Sequence, residues 1–204
     1  MLRVRGGEEV VRNFTAHNDE ETIIIDDEAQ TATWLTPNSL TAEYIEPNVT
    51  IPHGVPWEIG IKFELLGDAN VTSFGGIWGG RAYFATVGFD IYFSDSIKSI
   101  YFKLLYADSR ASLIKQYIAT YTSDTAIITI KLGWNGTQYY CTVKEGDTII
   151  FNETTDSSTP IYTDNQPVIG YSSDSNRNLH QTKIYLSDTY IKLNGEIAWR
   201  PYSS

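Results

Sequence analysis

The sequence predicts an all-β protein whose two antiparallel sheets pack face to face as a sandwich, and three observations carry that expectation. Apolar and polar residues alternate strictly from Trp57 to Leu65 and again in later runs. Turn signals rich in Gly, Asn and Asp separate these runs at short, even intervals. Tyr (14 residues), Ile and Thr are abundant, and such side chains suit pleated, half-buried surfaces. At 204 residues, with 42% hydrophobic and 13% aromatic side chains, the chain can bury one core of ordinary size.

Taken in order, residues 1–21 are polar and charged, with Gly6-Gly7 and Asn18-Asp19-Glu20-Glu21, and read as an N-terminal arm or linker. The sandwich is expected over residues 22–204, beginning with a strand at Thr22-Ile23-Ile24-Ile25. In the clearest strand Trp57, Ile59, Ile61, Phe63 and Leu65 share one face, while Glu58, Gly60, Lys62 and Glu64 share the other. One face in a core and one in water is the signature of an antiparallel sheet. Ile100, Phe102 and Leu104 repeat the pattern opposite Ser99, Tyr101 and Lys103, and Ile128 and Ile130 repeat it opposite Ile127 and Thr129. Only Ser109 to Gln116 carries a weak helical spacing.

Turns are expected at Leu66-Gly67-Asp68, Phe74-Gly75-Gly76, Trp78-Gly79-Gly80, Gly133-Trp134-Asn135-Gly136 and Glu145-Gly146-Asp147. The last joins Tyr139–Lys144 to Thr148–Phe151 as a hairpin. At the C-terminus Pro167-Val168-Ile169-Gly170-Tyr171 is followed by a polar loop and by Ile184-Tyr185-Leu186. Tyr190-Ile191-Lys192-Leu193 then meets a turn at Asn194-Gly195, the strongest short-range hairpin signal a sequence offers.

The order of these elements is similar to that of concanavalin A-like lectin/glucanase jelly rolls of the laminin-G-like type. The residues that carry the likeness are Trp57 to Phe63, the hairpin Trp134-Asn135-Gly136-Thr137-Gln138-Tyr139, and the closing segments from Val168 to Glu196. Such modules occur in bacteriophage tail and virion proteins and in surface proteins of gut bacteria. The resemblance implies a two-sheet antiparallel jelly-roll β-sandwich. It also implies a non-catalytic, virion- or tail-associated module that contacts host-surface carbohydrate or protein. A capsid-decoration or fibre domain without glycan binding, and a glycoside hydrolase of the same fold, are the alternatives it leaves open.

The hydrolytic branch carries two carboxylates in a Glu-x-Asp-x-x-Glu strand, and retaining chemistry needs them about 5–5.5 Å apart. Here Gly60 and Phe63 occupy the positions that would hold the second and third carboxylates after Glu58. Glu64 shares the face of Glu58 but lies six residues on, roughly 20 Å away. The strand is therefore not expected to host that reaction, and His17, His53 and His180 are scattered without catalytic or metal-binding spacing.

For binding, Gly76-Ile77-Trp78-Gly79-Gly80-Arg81-Ala82-Tyr83 offers an aromatic platform with a planar hydrogen-bonding group. Trp78, with Tyr83 close by, would stack on a sugar face and Arg81 would bind its hydroxyls; the alternative is Trp78 as a plug of the core and Arg81 at the surface. Asp174 and Asn176, in the loop Ser172-Ser173-Asp174-Ser175-Asn176-Arg177-Asn178, would contact a glycan or calcium, which takes oxygen ligands; the alternative is a solvated loop. Asp26-Asp27-Glu28 and Asp68-Ala69-Asn70 are further ligand-rich turns without EF-hand spacing. No cofactor beyond calcium is expected.

The net charge of −10 argues against nucleic acid and anionic membrane as partners, because binding phosphate needs clustered cations. The lone Cys141 leaves no internal disulfide framework and no Cys-based zinc site, and its place in Tyr139-Tyr140-Cys141-Thr142-Val143 is that of a small core residue. No signal-peptide-like apolar stretch opens the sequence and no 18-residue apolar run crosses it. The expected setting is a virion protein made in the host cytoplasm, without membrane insertion, that can assemble as a homo-oligomer. The sequons at Asn13, Asn48, Asn70, Asn135 and Asn152 are read as turn chemistry.

Overall fold

A computed structural model describes residues 10–17, 23–35, 44–67, 74–80, 88–94, 97–105, 113–161, 166–172, 177–179 and 181–203. These residues form nineteen strands and no α-helix. The first five strands are short: β1 (Val11–Arg12), β2 (Phe14–His17), β3 (Ile23–Asp26), β4 (Thr31–Trp34) and β5 (Tyr44–Pro47). Longer strands follow: β6 (Trp57–Leu65), β7 (Phe74–Gly80), β8 (Phe89–Ser94), β9 (Ser99–Leu105) and β10 (Leu113–Thr120). A meander comes next, of β11 (Ile127–Trp134), β12 (Gln138–Glu145) and β13 (Thr148–Asp156). The chain closes with β14 (Pro167–Ile169), β15 (Tyr171–Ser172), β16 (Arg177–Asn178), β17 (Thr182–Leu193), β18 (Glu196–Trp199) and β19 (Tyr202–Ser203).

Every strand pairing is antiparallel. One sheet has the order β10-β9-β8-β7-β14-β5-β2; the other has β13-β12-β11-β6-β17-β4-β3, with β18 added on β17. The crossing of distant strands, such as β6 between β11 and β17, makes this a jelly-roll sandwich rather than a meander.

The alternation read from the sequence sets the core. Ile59, Ile61 and Phe63 of β6, Ile128, Ile130 and Leu132 of β11, and Tyr139, Cys141 and Val143 of β12 are buried on one side. Phe89, Ile91 and Phe93 of β8 and Ile100, Phe102 and Leu104 of β9 meet them from the other sheet. Trp57 stacks on Phe89 with ring centroids 5.2 Å apart, and Phe63 lies 6.4 Å from Phe93, so aromatic pairs tie the two sheets together. Each such buried side chain contributes about 1.5–3 kcal/mol. Burial also pushes the Cys141 thiol pKa up, in keeping with its place in the core. The closing hairpin turns at Asn194 and Gly195 with φ of 52° and 84°; two consecutive positive values are what a two-residue type I′ turn requires.

Three expectations are corrected. Residues 11–17 are not an arm: β1 pairs with β19, β2 pairs with β5, and Phe14 is buried in the core. The strands are too short to show periodicity, and their partners stand far away in sequence. Leu113 to Gln116 is not helical but opens β10 along β9. Phe74 to Gly80, read as two turns, is a strand between β8 and β14. Its glycines lie where neighbours approach closely: a Cβ at Gly79 would meet the Asp90 carboxylate and the Tyr171 carbonyl oxygen.

A candidate binding face on the eight-stranded sheet

Of the site residues singled out from the sequence, Trp78 alone lies among the described residues. Trp78 is fully buried, faces inward beside Ile91 and meets Phe89 edge-on at 6.4 Å. It is a core residue and offers no exposed platform, because the bulge between Gly76 and Trp78 turns its ring to the inside of the sandwich. Arg81, Tyr83, Asp174 and Asn176 lie outside the described residues, as does Asp68-Ala69-Asn70.

A different cluster is built on the outer face of the eight-stranded sheet. The register places the outward side chains in rows across the strands. Tyr140, Gly133, Glu58 and Lys192 form one row, from β12 through β11 and β6 to β17. Thr142, Lys131, Gly60 and Tyr190 form the next, and Lys144, Thr129, Lys62 and Tyr185 the one after.

Two glycines shape the first two rows. A Cβ on Gly60 would stand on the Cε1–Cζ edge of the Tyr190 ring, and a Cβ on Gly133 would stand on Cζ and the hydroxyl of Tyr140. Without side chains at these two points, the tyrosines reach down onto the sheet and become half-buried. Both hydroxyls then donate to Glu58, Tyr190 to Oε1 at 2.7 Å and Tyr140 to Oε2 at 3.0 Å, and the Lys192 ammonium donates to Oε1 at 2.9 Å. Burial alone would raise the Glu58 pKa, but the hydrogen bonds from Tyr190, Lys192 and Tyr140 outweigh it and hold the carboxyl below its ordinary range. Burial and the same carboxylate push both phenol pKa values up, so the two hydroxyls stay protonated donors. One carboxylate thus fixes two aromatic rings and one cation.

The neighbouring rows repeat the theme. Tyr185 donates to Glu64 at 2.7 Å, and the Lys62 and Lys183 ammoniums stand 4.9 and 5.4 Å from its ring centroid. Four residues, Leu186 to Thr189, bulge out of β17 between Tyr185 and Tyr190 where β6 has only Ile61. The bulge brings Asp188 to 3.6 Å from the Lys62 ammonium. Beside these residues an open groove of about 490 Å³ runs over the sheet, lined by Lys62, Thr129, Lys131, Thr142, Lys144 and Asp147 among others.

Glu58 and Glu64 point out of the same strand six residues apart, roughly 20 Å, and each is held by tyrosine hydroxyls. That is not the close carboxylate pair of a retaining glycosidase. His17 contacts Glu46 at 2.8 Å and stacks on Tyr44, and His53 donates to the Ile161 carbonyl at 3.3 Å; His180 lies outside the described residues. Asp26 accepts from the Glu28 and Ala29 amides, and Asp27 accepts from Arg12 and Tyr202, so this turn uses its carboxylates internally. Among the described residues no three His, Cys, Asp or Glu side chains gather as a metal site.

Sequence reasoning missed the tyrosine cluster because it ranked exposed-looking Trp above strand Tyr. The available signal was an isolated glycine inside each of two strong strands, a mark of close approach by another group.

No protein-family model matches the chain and no curated sequence matches it. Solved structures do. A structure of botulinum neurotoxin type C, whose cell entry depends upon two ganglioside molecules, superposes with a TM-score of 0.61 at 10% identity over 96% of this chain and 47% of that one. The binding domain of botulinum neurotoxin DC in complex with rat synaptotagmin II gives 0.61 at 10% identity, covering 96% of this chain and 48% of its own. A legume lectin-like domain from Entamoeba histolytica gives 0.53 at 13% identity, covering 84% of this chain and 85% of its own. The chain thus spans about half the length of the neurotoxin chains and most of the length of the lectin-like domain. At these identities the likeness establishes the fold: the chain is a lectin-like jelly-roll β-sandwich.

Proposed function

We propose that this chain is a non-catalytic binding module that takes a glycan across the outer face of its eight-stranded sheet. The observation that carries the reading is the pair of tyrosines, Tyr140 and Tyr190, seated over glycines and locked by Glu58 on a polar, water-facing sheet. Aromatic rings held in place before a ligand arrives lose little entropy on binding, and polar groups beside them supply direction. Gangliosides and a protein receptor are the partners named for two of the structural neighbours, which supports a receptor-contacting role. The virion or gut-bacterial surface setting rests on the family resemblance and belongs to the same proposal.

Glycan-array binding of the wild-type chain and of Tyr140→Ala/Tyr190→Ala tests it, with folding checked by circular dichroism. Wild type is expected to bind at least one glycan class, and the double variant to lose about tenfold or more in affinity. Unchanged binding by the variant, or release of reducing sugar by the wild type, would contradict the reading.

A further inference from the structure

We propose that the groove beside the tyrosines is an anion-binding subsite and that the glycan it serves is acidic, with a carboxylate or sulfate seated among Lys62, Lys131 and Lys144. This rests on the glycan-binding reading above and specifies its ligand.

The chain carries a net charge of −10, yet among the described residues six of its 15 cationic Lys and Arg residues stand on this one face: Lys62, Lys131, Lys144, Lys183, Lys192 and Arg200, whose guanidinium lies 5.9 Å from the Tyr190 ring centroid. Three of them line the groove. Lys62, Thr129 and Lys144 occupy one row, and Lys131 lies two residues beyond Thr129 on the same strand. Lys131 stands diagonally to Lys62 and to Lys144, roughly 7–8 Å away, and Lys62 and Lys144 stand two strands apart, about 10 Å, so the three like charges repel within one Debye length.

The surrounding acids do not relieve that repulsion. Glu58 is engaged by two tyrosines and Lys192, and Glu64 by Tyr185. Lys62 reaches Asp188 at 3.6 Å, an ion pair with half-exposed partners and little energy. Lys131 and Lys144 make no ion pair among the described residues and are exposed. Asp147 is the single acid lining the groove among the described residues. Cations gathered in a cleft focus positive potential there even when the whole protein is acidic. The Thr129 hydroxyl adds an uncharged donor, whereas that of Thr142 already donates to Asn152 at 2.9 Å.

Adjacency to the aromatic site selects an acidic sugar over a free anion. Lys131 pairs directly with Gly60, the residue beneath the Tyr190 ring. The Lys192 ammonium and the Arg200 guanidinium already lie 5.1 and 5.9 Å from the Tyr190 ring centroid, so a sugar at this ring meets those cations as well as the Lys131 ammonium on the neighbouring strand. Ring contact and anion contact fall on neighbouring units of one saccharide, or on a single unit.

The test uses matched pairs of oligosaccharides that differ only in an acidic group, carboxylated or sulfated against neutral. The probes are wild type, Lys131→Glu/Lys144→Glu and Tyr190→Ala, with vesicles of anionic phospholipid as a separate arm. Wild type is expected to prefer the acidic member by about tenfold, with the preference shrinking as salt rises. The lysine variant is expected to lose that preference while keeping its affinity for the neutral member, and Tyr190→Ala to weaken both. Equal affinity for acidic and neutral members would overturn the anionic subsite and leave the glycan-binding reading standing. Selective binding of acidic members that Tyr190→Ala does not weaken would uphold the subsite and overturn the tyrosine platform. Binding to anionic vesicles but to no oligosaccharide would overturn both.

Discussion

The two sheets of the sandwich are alike in their inner faces and opposite in their outer ones. In β8 the outward Asp90, Tyr92 and Ser94 are as buried as the inward Phe89, Ile91 and Phe93. Tyr92 stacks on Tyr101 at 5.0 Å and nearly parallel, and β15 and β16 lie against β7 on that side. In β6, by contrast, Glu58, Lys62 and Glu64 reach the surface and are matched by tyrosines and lysines of the flanking strands. Among the described residues, the outer face of β8 is packed while β10 at the sheet edge leaves Leu113 and Ile118 exposed, and the outer face of β6 is polar and open to contact. A polar outer face becomes a binding face only where nothing else of the chain covers it.

The sharpest way to break this contrast is to exchange the expected roles. Trp78→Ala removes a fully buried indole from the packed sheet and should cost about 3–5 kcal/mol in a denaturant titration, since a cavity of that size does not collapse. Any loss of ligand binding should follow the loss of folded protein. On the open sheet, Gly60→Val should cost about 1–3 kcal/mol by evicting the Tyr190 ring. The same substitution in a Tyr190→Ala background should cost much less, and that coupling, read from a double-mutant cycle, measures the ring's seat on the sheet.

Glu58→Gln sharpens the comparison through pH and should cost about 1–2 kcal/mol at neutral pH. The folded carboxyl lies below the ordinary glutamate pKa, about 4.3, so its contribution is complete above that value. It is lost as pH falls through the lower folded value. Stability measured between pH 7 and pH 3 should therefore fall more steeply in wild type than in the variant. The smallest effect belongs to the closing hairpin, away from both faces: Gly195→Ala, at φ 84°, should cost about 1 kcal/mol in the same titration and leave binding unchanged.

Much of the architecture was legible in the chain. The alternation from Trp57 to Leu65 identified both the strand and its inner face, and Asn194-Gly195 identified the last hairpin. Short strands such as Phe14–His17 were not, because four residues carry too little periodicity and their pairing partner lies at Tyr44–Pro47. The glycine-rich β7 read as turns because a strand of glycines lacks the side chains that make alternation visible.

The site was harder for a different reason. Glu58, Tyr140 and Tyr190 are separated by 82 and 132 residues from carboxylate to hydroxyl, and only the register of β12, β11, β6 and β17 brings them together. Trp78 stayed open between sugar platform and core plug because glycines flank it, and the structure bears out the core plug, burial being decided by which way a bulge turns the ring.

The claim that the open sheet is the binding face is tested most directly by mapping amide chemical-shift changes during titration with a bound oligosaccharide. The account predicts that the shifts concentrate at Lys62, Thr129, Lys131, Tyr140 and Tyr190 on the eight-stranded sheet. Shifts confined to the β7 and β15 side, around Gly79 and Tyr171, would contradict it.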